Sequence, residues 1–227
     1  MYAFREVVNF LSFQKKVVLI TPFGDTPAGK FVQSHIARRY FDVPQSKFLS
    51  RFPELFEPGR ISVAKSLSSE RVGKGAVLYT TRVQESDLNP GEPWMIQDLV
   101  EAEMDITIAC VRDELFSFQL SRSKFLARTV DWREVAAETL TDDWPVHPLP
   151  EEFKQRVFKF MNDMGLHYGR IDFLYENGKY QFLEVNSNGE WGWLDADSQN
   201  GLFDKIIFEI SPHTEVHPAP FPRVLNC

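Results

Sequence analysis

Asp172 lies in Arg170-Ile-Asp-Phe-Leu-Tyr175, and Glu184 and Asn186 lie in Phe182-Leu-Glu-Val-Asn-Ser-Asn-Gly189. Between these strand-like runs sits Glu176-Asn-Gly178, an Asn-Gly signal that folds one strand back on the next. Two carboxylates and a side-chain amide thus meet on neighbouring strands. They are hard oxygen donors of the kind Mg²⁺ takes, with phosphates and waters filling its remaining positions. The pattern points to chemistry on a nucleotide. It also fits an ordinary edge hairpin carrying solvated acids.

The spacing adds a condition. A plain two-residue turn pairs Glu176 with Lys179 and sets Asp172 opposite Leu183. Glu184 then faces the other side of the sheet, because side chains alternate. A shared metal needs Asp172 and Glu184 on one face. The spacing therefore predicts an odd number of loop residues, most simply three, with Gly178 at positive φ.

Further residues fit the same chemistry. Lys65 ends a run of β-formers, where its ammonium can sit over a polyphosphate or simply face solvent. The polar stretch 66–75 reads as a flap whose Gly73 and Gly75 amides face phosphate, or as a plain surface loop. Gln97-Asp-Leu-Val100 follows a strand and precedes Glu101, Glu103 and Asp105. Such a segment between lobes can read an adenine edge with its backbone and a ribose with a nearby acid, or be a solvated acidic turn. Arg122, Arg128 and Arg133 fall close together around Asp131-Trp-Arg133 and suit a transferring phosphoryl group or a substrate carboxylate, or are surface arginines that do neither. The five histidines show no metal-ligand spacing; His213 and His217 fall in a proline-rich tail that no helix aligns.

The elements that must carry these residues are interleaved. Helical stripes run over 1–13, from the Asp25-Thr-Pro27 start to Tyr40 with Phe31, Ile36 and Tyr40 inward, over 150–164, and over 201–210. Val43-Pro44 breaks the second and Gly165 ends the third. Strands are expected at 17–20, 61–65, 76–83, 94–97, 105–111 and 114–120, besides the hairpin. Hairpins exclude a simple parallel sheet. The expected class is α+β, in two lobes joined near Gln97–Val100.

Composition bounds the class of partner. The chain has 227 residues, 43% of them hydrophobic, enough for one large domain or two small lobes. A net charge of −7 argues against a nucleic-acid binder. No apolar run approaches the ~20 residues of a membrane span, and the N-terminus lacks a signal-peptide core. Two cysteines, Cys110 and Cys227, make no disulfide framework and suit a reducing cytoplasm.

Taken together, the chain resembles the ATP-grasp superfamily. It is most similar to the ligases that cyclise ribosomally made peptides (graspetide or microviridin-type synthetases), with ribosomal-protein glutamate ligases as neighbours. The resemblance rests on 164–173, on 182–193 with its Asn-x-Asn-Gly-x-Trp-x-Trp ending, on 73–83, and on Val130-Asp-Trp-Arg133. It implies an ATP-grasp fold whose two α+β lobes clasp ATP. The activity implied is a carboxylate ligase forming ester or amide bonds through an acyl phosphate. Mg²⁺, with Mn²⁺ as an alternative, would sit on Asp172, Glu184 and Asn186. Lys65 and the Gly73–Gly75 flap would hold phosphate. Gln97, Asp98, Leu99 and Val100 would form the adenine hinge, and Asp105 would bind ribose. Arg133, with Arg82, would act at the γ-phosphate. The substrate would be a ribosomally made, acidic peptide or a small carboxylate.

Two departures stand out. Where relatives carry an arginine two residues after the ribose acid, this chain has Thr107. Relatives also have a domain before this point. The expected organisation is thus a lead-in over 1–40 from a missing preceding domain, a first lobe over 41–96, a second lobe over 97–210 and a tail over 211–227. A separate N-terminal chain or a second copy is the implied partner. The rival reading is a non-catalytic ATP- or peptide-binding subunit.

Overall fold

A computed structural model describes residues 29–49, 61–65, 79–88, 94–125, 129–134, 144–187 and 189–210. The helix expected over 1–13, the strand over 17–20, the flap with Gly73 and Gly75, Arg128 and the tail lie outside these residues.

Two four-stranded antiparallel sheets organise the chain. The first has the order β1-β4-β2-β3, from β1 (Ser46–Leu49), β2 (Ser62–Lys65), β3 (Thr81–Val83) and β4 (Trp94–Asp98). The second has the order β6-β5-β7-β8, from β5 (Met104–Val111), β6 (Glu114–Ser121), β7 (Tyr168–Glu176) and β8 (Lys179–Asn186). Residues 99–103 join them.

The second sheet is buried on both faces. One face carries Ile106, Ile108, Cys110, Ile171, Phe173, Phe182 and Val185 against helix α2 (Glu151–Asp163), which buries Phe153, Val157, Phe160 and Met161. These repeat at helical spacing, and Glu151 and Glu152 occupy the first turn as the helix dipole favours. Gly165 ends α2 at φ 65° in a Schellman arrangement: the Leu166 amide donates to the Met161 carbonyl and the Gly165 amide to that of Asn162. Burial pushes the Cys110 thiol up to about 12, so it behaves as a small apolar side chain. The opposite face packs Ala109, Val111, Phe118 and Leu120 against helix α3 (Leu202–Ile210) and a tryptophan cluster of Trp132, Trp144 and Trp193. Further along, the same face is polar and belongs to the site.

Helix α1 (Lys30–Ala37) and the turn after it set Ile36 and Tyr40 against the core as expected, but not Phe31. Phe31 is exposed, and the buried residues are Gln33, Ser34 and Ala37. The reason is the edge of the second sheet. On the outer side of β8 the Phe182 amide donates to the Asp42 carbonyl at 2.8 Å, and further along the Gln33 side-chain carbonyl accepts from the Val185 amide at 3.0 Å. A polar face covers an edge strand better than an apolar one. β1 was not apparent in the sequence; it is short, includes Lys47, and is defined by its pairing with β4.

Candidate active site

A cleft lies between the sheets, lined from both. The hairpin supplies its acidic floor. Its turn is the tight two-residue form, with Asn177 at φ 49° and Gly178 at φ 80°, and Glu176 pairs with Lys179. The three-residue loop expected from the spacing is absent, because Asn-Gly takes two positive φ values without an extra residue. The parity is corrected inside the strand instead. Phe173 pairs with Phe182, yet Asp172 pairs with Glu184, leaving Leu183 as a bulge. Leu183 and Glu184 both line the cleft, and Asp172 and Glu184 share one face.

Each carboxylate is held. Burial would raise the Glu184 pKa, but Lys30 and Lys65 outweigh it and hold it down to about 2. Lys30 Nζ lies 2.6 Å from Glu184 Oε2. Thr107 Oγ1 donates to Asp172 Oδ1 at 2.8 Å, so the residue at the departure from the family pattern orients an acid. Asn186 lies two residues along β8, on the face of Glu184 and opposite Arg170. The described residues hold no cluster of three or more His, Cys, Asp or Glu fit for a metal. Two carboxylates and an amide nonetheless suit Mg²⁺, which takes one or two carboxylates plus substrate phosphates. The Lys30 ammonium compensates the charge of Glu184.

Other expected residues fall around this floor. Lys65 lines the cleft, and burial lowers its pKa to about 8 against the pull of Glu184. Gln97, Asp98, Leu99 and Val100 line it too. Their polar groups are partly engaged: Gln97 Nε2 donates to Ser46 Oγ at 2.9 Å, the Asp98 amide to the Gln45 carbonyl, and the Leu99 amide to the Ile61 carbonyl. Asp105 is buried in the cleft wall, and burial raises its pKa to about 7 although Arg122 opposes this. Arg122 Nη1 reaches both Asp105 oxygens, at 3.2 and 2.9 Å.

Arg133 is gripped by Asp131 in a fork, with Nε at 2.8 Å from one oxygen and Nη2 at 2.6 Å from the other. Asp131 also accepts from the Thr80 amide at 3.0 Å, which ties the 131–133 turn to the strand lead of the first sheet. Burial opposes both charges, yet the pair wins: Asp131 is lowered and Arg133 raised. Arg82 is exposed on edge strand β3, opposite Val63, and is not among the residues lining the cleft.

Lys30, Arg170 and Asp131 were not assigned roles from sequence. Arg170 was legible, since it stands two residues before Asp172 and alternation puts both on one face. Asp131 stands two residues from Arg133. Lys30 left no local signal; its contact with Glu184 spans most of the chain.

The chain matches no family model and, by sequence, no curated protein. Solved structures do match. A RiPP-associated ATP-grasp ligase of Chryseobacterium gregarium, in complex with ADP and a leader and core peptide, superposes with TM-score 0.70 at 23% identity, covering 91% of this chain and 67% of that one. Macrocyclase MdnC from Microcystis aeruginosa MRC, bound with precursor peptide MdnA, gives 0.66 at 22% identity, over 92% and 66%. D-alanine–D-alanine ligase from Bacillus anthracis, complexed with ATP, gives 0.56 at 15% identity, over 89% and 73%. The chain spans about two thirds of the length of the first two. With two antiparallel sheets and their helices superposing on these structures, the chain has the ATP-grasp fold.

Proposed function

We propose that the chain is an ATP-dependent carboxylate ligase acting on an acidic peptide. The observation that carries this is the Asp172–Glu184 pair, placed on one face of a cleft that also gathers Lys30, Lys65 and Arg133. ATP would lie between the sheets, its base at 97–100, its ribose toward Asp105 and its phosphates toward Lys65 and the Gly73–Gly75 flap. Asp172, Glu184 and Asn186 would hold Mg²⁺ or Mn²⁺, which when bound neutralises phosphate charge and aligns the γ-phosphoryl group. A substrate carboxylate oxygen attacks the γ-phosphorus, the bond to ADP breaks, and an acyl phosphate forms. An amine or hydroxyl then attacks the acyl carbon; it loses its proton and inorganic phosphate leaves. The chain's own work is to position reactants and neutralise developing charge, with Arg133 fixed for that task and Arg82 a second candidate.

The peptide substrate is supported by the structural neighbours that hold precursor peptides. Among the described residues no helix is long and apolar enough to cross a membrane, and two cysteines without a disulfide framework support a cytoplasmic site of action. A separate N-terminal chain or a second copy is the proposed partner.

Hydroxylamine trapping tests the reaction. With Mg²⁺–ATP and an acidic peptide, the reading predicts ADP release and a peptide hydroxamate detectable by mass. Nucleotide binding without hydroxamate contradicts it and favours the non-catalytic binding subunit.

A further inference from the structure

Asp105 and Arg122 form a buried ion pair in the wall of the cleft, with side chains 12% and 4% exposed. Arg122 Nη1 alone reaches both carboxylate oxygens, at 3.2 and 2.9 Å. Nη2 donates to the Val130 carbonyl at 3.3 Å, and the Arg122 amide donates to the Glu103 carbonyl at 2.9 Å. The guanidinium carbon stands 5.2 Å from the centre of the Phe125 ring. Arg122 Nε has no hydrogen-bond partner among the described residues. Taking two charges out of water is offset only by good geometry and full hydrogen bonding, so such a pair is weak evidence for stability. An orphaned buried donor likewise asks for a role. This pair lines a site rather than a core.

Asp105 is the second residue of β5, beside the 99–103 segment that joins the sheets, and shares the cleft face with Thr107 and Asp172. Its carboxylate is pressed to take up a proton. Burial raises its pKa to about 7; Arg122 opposes this, and the acids Asp172 and Asp131 add to it. Thr107, its neighbour on the same face, is committed to Asp172. Arg122 is the cation that holds the proton off.

The state of that carboxyl decides what it can bind. Ionised, it accepts only and has about four lone-pair positions; protonated, it turns one of them into a donor. Arg122 takes one position on each oxygen. The position left on each oxygen matches two neighbouring hydroxyls. Hydrogen bonds to a charged acceptor are roughly twice as strong as those to a neutral one.

We infer that Arg122 is a positioning residue that keeps Asp105 aimed and ionised, so that it accepts from both hydroxyls of a nucleotide's ribose and selects ribonucleotides. The inference rests on the nucleotide reading of the cleft, and its test separates the two. Calorimetry with the full chain, below and above about pH 7, compares ADP with 2′,3′-dideoxy-ADP, each with Mg²⁺. Either affinity alone also follows Lys65, whereas their ratio cancels the phosphate contribution. On the alkaline side the native chain prefers ADP by about tenfold or more, the worth of a hydrogen bond to a charged group. On the acid side Asp105 takes its proton and the preference shrinks. Arg122→Met removes the opposing cation, so the preference falls at neutral pH and returns only at higher pH. Arg122→Lys keeps one nitrogen to face both oxygens and keeps most of the preference. A preference that is absent in the native chain, insensitive to pH, or unchanged in Arg122→Met overturns the inference. So does equal weakening of ADP and dideoxy-ADP in that variant, which would make the pair a structural one. If the Met variant does not fold, the native pH profile and the Lys variant decide: pH dependence missing from the first, or preference lost from the second, overturns the inference. Failure of the native chain to bind Mg²⁺–ADP overturns the nucleotide reading itself.

Discussion

Lys65 shows how a cleft can tune one charge for an anion. Burial brings its pKa to about 8, and Glu184 only partly offsets this. The direction of the pH effect follows. Below about 8 the ammonium is charged; above it the amine is neutral. Phosphate favours the charged form, so Mg²⁺–ADP affinity should hold up to about pH 8 and then fall by up to about tenfold per pH unit. Lys65→Arg keeps its charge throughout and should flatten that slope in calorimetry. An equal slope in the variant would place the titration elsewhere. The sequence made Lys65, Asp172 and Glu184 legible because each sits in a strand pattern at a telling position. It did not reveal Lys30, whose ion pair with Glu184 depends on α1 lying against β8. Nor did it show that Thr107 hydrogen-bonds Asp172, a contact made across two strands.

At the scale of elements, the hairpin separates turn from register. The strand patterns and the Asn-Gly turn were legible, and so was the need for Asp172 and Glu184 to share a face. Where the odd residue would go was not, because a bulge is a property of the paired strands and leaves no local mark. Two glycines test this division. Gly178 sits at φ 80° with open space around it. Gly178→Ala should cost about 1–2 kcal/mol of stability through backbone strain while leaving Mg²⁺–ADP binding in place, since the bulge at Leu183 sets the shared face. Gly189→Ala meets Arg170 Cβ at 2.8 Å and the Asn186 carbonyl at 3.2 Å. It should cost about 1–3 kcal/mol by overpacking. Thermal melts with and without Mg²⁺–ADP read both. Loss of nucleotide stabilisation in Gly178→Ala would return register control to the turn.

For the whole molecule, a chain of net charge −7 gathers Lys30, Lys65, Arg122, Arg133 and Arg170 around one cleft between two sheets. Asp131 spans that cleft, joining the Thr80 amide of one side to Arg133 of the other. The α+β class was legible because hairpins and helices interleave along the chain. The facing of the sheets was not, because it rests on such cross-lobe contacts. On the proposed reading, this cleft holds a metal-bound nucleotide on the hairpin acids. Calorimetry of Mg²⁺–ADP with the native chain and Glu184→Gln decides this. The expected result is Mg²⁺-dependent binding that the variant weakens by more than the roughly 10–100-fold cost of losing an outer-shell partner of a metal ligand. Binding that is independent of Mg²⁺, or equal in the two proteins, would contradict it.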